Sequence, residues 1–128
     1  MNAVVERIVD LDHAAERIAA RAVRWRAAGL TVGALTWRDA LALWPQPLET
    51  DRARVTDPDS VGVQVVDPLS GGELHVVLFR GGWADVEYLA AGWEEQDDAE
   101  VGVIPANDFT GAADFDERLR GWMAHVFG

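Results

Sequence analysis

Val4, Ile8, Leu11, Ala15, Ile18, Ala22 and Trp25 recur at spacings of three and four. They form one apolar stripe, which predicts a helix over residues 2–28. Acids fall early on it (Glu6, Asp10, Asp12, Glu16) and arginines late (Arg17, Arg21, Arg24, Arg26). That order suits the helix dipole, and Gly29 supplies a stop. Residues 4–9 also read as a short strand, with a break near 10–12. Trp37, Leu41 and Trp44 then share one side behind Thr36 and Asp39, a capping-box-like pair. They predict a second, shorter helix, ended by Pro45 and Pro47. Residues 46–60 read as a long polar connection.

From residue 61 the pattern becomes that of strands. Apolar runs at 61–66, 74–80, 83–90 and 101–104 are separated by turn-formers, which predicts a four-stranded antiparallel meander. Read as a two-residue hairpin loop, Gly81-Gly82 sets Arg80 opposite Trp83, Leu78 opposite Asp85, Val76 opposite Glu87 and Leu74 opposite Leu89. Phe79, Val77, His75, Ala84, Val86 and Tyr88 then share the other face. That face is the more uniformly apolar, so it is expected to meet the helices. A last helix begins near Asp114, with Glu117 as its capping partner. Its apolar side is Phe115, Leu119, Trp122, Met123, Val126 and Phe127. The expected fold is α+β in a single domain, 1–128. It has N-terminal helices, a four-stranded antiparallel meander sheet, and a C-terminal helix packed on one sheet face.

Composition changes this picture little. A chain of 128 residues is one domain by length, and 49% hydrophobic residues are enough for a core. There is no Cys, hence no disulfide framework or thiolate chemistry, as in a reducing compartment. Glu6, Arg7 and Asp10 interrupt any leader-like apolar run, and no run reaches the ~20 residues of a membrane span. The expected location is cytoplasmic.

Charge changes it more. Residues 1–54 hold eight Arg against seven acids, a net of +1. Residues 55–128 hold three Arg against fifteen acids, a net of −12. Such a field repels nucleic acid and anionic membrane and attracts a basic protein surface. The candidate docking residues are Trp83, Asp85 and Glu87 on the more polar sheet face, and Trp93, Glu94, Glu95, Asp97, Asp98 and Glu100 beyond it. Trp offers area to bury, and carboxylates receive Arg or Lys. The acidic run also reads as a solvated loop, and Arg80 on Trp83 as a surface cation–π pair. Trp25, Trp37, Trp44 and Trp122 lie on helical stripes and read as core.

Catalytic signals are weak. His13, His75 and His125 form no ligand-spaced motif, so no metal or other cofactor is expected. Ser60 and Ser70 lack a nucleophile elbow. Asp85 and Glu87, two apart on a strand with Tyr88 nearby, could divide acid and base roles. Asp97, Asp98 and Glu100 offer hard oxygens for calcium but not the spacing of an EF-hand. The chain is therefore read as a binding protein, not an enzyme.

A small, acidic, Cys-free α+β chain with the meander segment FRGGWADVEYLAAG and the closing helix DFDERLRGWMAHVFG resembles a known group. These are the small bacterial, actinobacterial-type immunity proteins of polymorphic-toxin and contact-dependent systems. The resemblance lies in size, charge and architecture along the whole chain and carries no residue role across. It implies a cytoplasmic inhibitor that binds a cognate toxin domain and blocks its active site. Where that domain is a nuclease, an acidic face would mimic phosphate. Two alternatives stay open: a secretion chaperone or adaptor acting as a homodimer, and a small-ligand-binding, cone-shaped α+β protein.

Overall fold

The computed structural model describes residues 8–90 and 100–128, with Glu100 described by its backbone alone. Helix α1 (Leu11–Ala27) is followed by strands β1 (Thr31–Val32) and β2 (Thr36–Asp39) and a 3₁₀ turn at Arg52–Arg54. Strands β3 (Pro58–Val66), β4 (Glu73–Phe79), β5 (Trp83–Ala90) and β6 (Glu100–Val103) come next, then helix α2 (Ala112–Phe127). The fold is α+β, and every strand pairing is antiparallel. The order across the sheet is β1-β3-β4-β5-β6, with β2 also on β3. The meander is thus present as β3 to β6. It is extended by two short strands sharing the β3 edge, so there are six strands among the described residues, not four.

The predicted N-terminal helix starts late. Ile8 to Asp10 are not helical, Val9 is buried, and its N–H donates to the Arg80 carbonyl at 3.1 Å. Asp10 caps the helix by accepting the His13 N–H at 3.1 Å. Of residues 4–9, where a short strand is the other option, 4–7 lie outside the described residues, and Ile8 and Val9 are neither strand nor helix. The helix ends as its sequence suggests, with Gly29 at φ 95 just beyond it.

The second predicted helix is absent. Thr36 to Asp39 form β2, where Trp37 pairs with Val61 and bridges to Glu49. Trp37 is buried on the core side, while Thr36 and Arg38 lie on the other. A two-residue period therefore wins over the apparent stripe Trp37, Leu41, Trp44, whose last two members are exposed. Asp39 completes no capping box. Its carboxylate accepts the N–H groups of Leu41, Thr56 and Asp57, closing the turn after the strand. Those backbone bonds, Thr56 first, hold its pKa below the ordinary carboxylate value.

The β4–β5 hairpin corrects the expected register by one residue. Phe79 lies opposite Trp83, Leu78 opposite Ala84, Val77 opposite Asp85, Val76 opposite Val86, His75 opposite Glu87 and Leu74 opposite Tyr88. The loop is three residues, Arg80-Gly81-Gly82. The Gly82 N–H donates to the Phe79 carbonyl at 3.1 Å, and Gly82 sits at φ 95. A slip of one residue moves every β4 side chain to the opposite face. Leu74, Val76 and Leu78 are therefore the core residues, and His75, Val77 and Phe79 face away. On β5 the expected faces hold: Ala84 and Val86 are buried, while Asp85 and Glu87 are exposed.

Both helices pack on the core face. Ile18, Phe115, Leu119 and Phe109 are at most 2% exposed against Val61, Val63, Val65, Leu74, Val76, Leu78 and Val86. Each such side chain contributes about 1.5–3 kcal/mol by leaving water. Phe109, Phe115 and Trp122 meet edge to face at 5.9–6.2 Å and fill the space between α2 and the sheet. Helix α2 starts at Ala112 behind Gly111, with no side-chain cap. Asp114 instead accepts the Thr110 N–H and pairs with Arg118, while Glu117 pairs with Arg120.

Candidate functional site: the open sheet face

The face turned away from the helices can be read in cross-strand rows. Arg38, Ser60, Phe79 and Trp83 form the first, and Thr36, Gly62, Val77 and Asp85 the second. Gln64, His75, Glu87 and Val103 form the third, and Thr31, Val66, Glu73, Leu89 and Val101 the fourth. One end is aromatic, while the middle and the other end are acidic with aliphatic borders. Glycine keeps the face flat where it must be: a Cβ on Gly62 would meet Thr36 Oγ1 at 2.7 Å.

Trp83 is 41% exposed and stacks on Phe79, with ring centroids 5.3 Å apart and planes at 14°. Its ring also lies over Gly81, where a Cβ would come within 2.0 Å of it. The expected Arg80 partner is elsewhere. Arg80 reaches Asp57 at 3.0 Å and Asp59 at 3.6 Å, tying the hairpin to the start of β3.

Asp85, Glu87 and Glu73 are exposed on this face, and none is in an ion pair among the described residues. Glu73, His75, Glu87, Gln64, Val101 and Val103 border a shallow concavity of about 590 Å³. Tyr88 is not part of an acid–base group with Asp85 and Glu87. It alternates to the helix side and meets His125 edge-on at 5.2 Å. Trp93, Glu94, Glu95, Asp97 and Asp98 lie outside the described residues, as does the side chain of Glu100. Ser60 is buried, and the Ser70 hydroxyl donates to Asp67 in a turn. Among the described residues no three His, Asp or Glu converge as metal ligands, and no helix is long and apolar enough to cross a membrane.

The charge split along the sequence is not a split in space. Arg17 and Arg21 of α1 both bind Asp116 of α2, with Arg21 Nη2 at 3.0 Å and Arg17 Nη1 at 3.2 Å. The hydrogen bond from Arg21 holds Asp116 below the usual carboxylate range against the opposing effect of burial. Arg52 does the same for Asp12. Of the carboxylates without an ion pair among the described residues, Glu73, Asp85 and Glu87 stand together on the open face.

A second exposed feature borders this face. Leu41, Leu43, Trp44 and Leu48 all face solvent, and the Arg38 guanidinium lies 4.6 Å from the Trp44 ring centre. Trp44, expected in the core from its helical stripe, is thus a surface residue. The available signals were Pro45 and Pro47 and the lack of charge from 40 to 48, which together fit a surface loop better than a helix. No family model, curated protein or solved structure matches the chain.

Proposed function

We propose that the chain is a protein-binding module whose open sheet face docks a basic partner, in the manner of the immunity proteins it resembles. The observation that carries this reading is the set Glu73, Asp85 and Glu87, exposed on one open face without ion-pair partners among the described residues and flanked by Trp83. Exposed apolar area beside uncompensated carboxylates suits a surface of Arg and Lys. Each incoming cation gains a partner, and self-repulsion among the acids is relieved. On the immunity reading the partner is a toxin domain with a cationic active-site cleft, and docking blocks access to that cleft. The ligand-carrier alternative has less support, because aromatic side chains occupy the space under the sheet.

The test is charge reversal. An oligo-arginine peptide titrated at low salt should bind the native chain. Asp85→Lys with Glu87→Lys should weaken that binding by about 10-fold or more, as expected when two facing charges change sign. Unchanged affinity places the docking surface elsewhere. In cells, co-expression with a toxin domain encoded beside its gene should restore growth, and the charge-reversed chain should not. Rescue by both chains equally contradicts the proposed face.

A further inference from the structure

Residues 40–48, Ala-Leu-Ala-Leu-Trp-Pro-Gln-Pro-Leu, contain no charge. Leu43 is 90% exposed and Trp44 69%. The backbone beneath them is nevertheless held in place. Trp37 and Glu49 exchange backbone hydrogen bonds of 2.7 and 3.0 Å across the loop's base. The Gln46 amide both accepts the Asp39 N–H and donates to the Asp39 carbonyl, each at 2.9 Å. Pro45 and Pro47 restrict φ at two further positions. Large apolar side chains on a backbone already fixed lose little entropy when covered, which is the composition of a binding anchor. Leu41, Leu43, Trp44 and Leu48 together form an exposed apolar patch of the kind that, at about 300–600 Å², is often functional on a monomer.

The loop is continuous with the open face. Trp44 covers Arg38, whose Nη1 is buried without a hydrogen-bond partner among the described residues. Arg38 begins the row that runs through Ser60 and Phe79 to Trp83. Three strand spacings separate β2 from β5, about 14 Å.

The geometry points to one partner element spanning both features: an amphipathic basic segment of another protein. Its aliphatic side chains cover Leu43 and Trp44, and its Arg or Lys side chains meet Asp85 and Glu87. A helix of about ten residues is ~15 Å long and bridges the distance. This rests on the binding reading above and adds where the affinity is concentrated and what the partner segment contains. Other occupants fit less well. An anionic membrane is repelled by a net charge of −11. A second copy packing loop on loop about a two-fold axis would leave Asp85 and Glu87 without cations and would bring together two chains of net charge −11.

Two ten-residue peptides of equal charge serve as probes, both with Arg at one end, one carrying Ser and the other Leu at the opposite end. The native chain should prefer the Leu peptide by about 10-fold. Leu43→Ser with Trp44→Ser should abolish the preference and leave the Ser peptide's affinity unchanged. Asp85→Lys with Glu87→Lys should weaken both peptides and keep the preference. Circular dichroism should show every variant folded, since all four side chains are exposed. Equal affinity for the two peptides, or a preference that survives the loop variant, overturns the inference while leaving the acidic face intact. Charge reversal without effect, with the preference intact, overturns the acidic face and with it the bridging segment. A dimer dissociated by the loop variant, or binding to phosphatidylcholine vesicles lost in it, assigns the loop to those occupants and overturns the inference as well.

Discussion

Gly82 decides which side chains reach the core. Its positive φ closes a three-residue loop, and that length sets Phe79 against Trp83. A side chain there costs about 1–2 kcal/mol for the left-handed backbone alone. A Cβ would also stand 3.2 Å from the Phe109 carbonyl. Gly82→Ala should therefore lower unfolding free energy by at least that amount in a urea titration, and an unchanged midpoint would refute the turn assignment. Gly102 imposes a second constraint, since its Cβ would lie 2.8 Å from the Tyr88 ring. The hairpin was legible at this scale because two adjacent glycines mark a turn. Its loop length was not, because Gly-Gly is compatible with two residues or three. The choice rests on whether Leu74, Val76 and Leu78 or His75, Val77 and Phe79 fill the core better, and burial chooses the three aliphatics.

Among elements, β4 gives the sharpest contrast. Leu78→Ala should cost about 2–5 kcal/mol, the range for emptying a buried leucine site. Val77→Ala should cost well under half of that, because Val77 faces outward. Equal losses would restore the register expected from a two-residue turn. The link between the helices is electrostatic as well as apolar. Asp116 titrates low because Arg21 and Arg17 hold its ionised form, so its contribution is present above the unfolded carboxylate value. It is lost as pH falls through the folded value, below about pH 4. Asp116→Asn should cost about 1–3 kcal/mol at neutral pH, and the gap from the native chain should narrow below pH 4. A gap constant from pH 7 to 3 contradicts the ion pair. The long helices were readable because many turns repeat one stripe. The short β2 was not, since three apolar residues at helical spacing can arise within a strand and its following loop. Pairing to β3 and the Glu49 bridge settle it.

At the scale of the molecule, charge and shape act together. The acid excess of the second half was plain in the sequence. The sequence could not show that Asp57, Asp59 and Asp116 are matched by arginines distant in the chain once folded. Three carboxylates on the open face remain without such partners, and they repel one another there. Asp85→Lys with Glu87→Lys should therefore leave the unfolding midpoint unchanged or raise it while weakening binding of cationic peptides, a separation expected of a functional surface. Because the site is exposed, affinity should fall steeply with salt as the screening length shrinks from ~10 Å at 0.1 M to ~3 Å at 1 M.

The most direct test is to record backbone amide chemical shifts while titrating the Arg-Leu peptide. Changes concentrated on β4, β5 and the loop after β2 are the result predicted. Changes confined to the exposed sides of α1 and α2, with His75, Asp85 and Glu87 unmoved, would contradict the assignment of the open face as the docking surface.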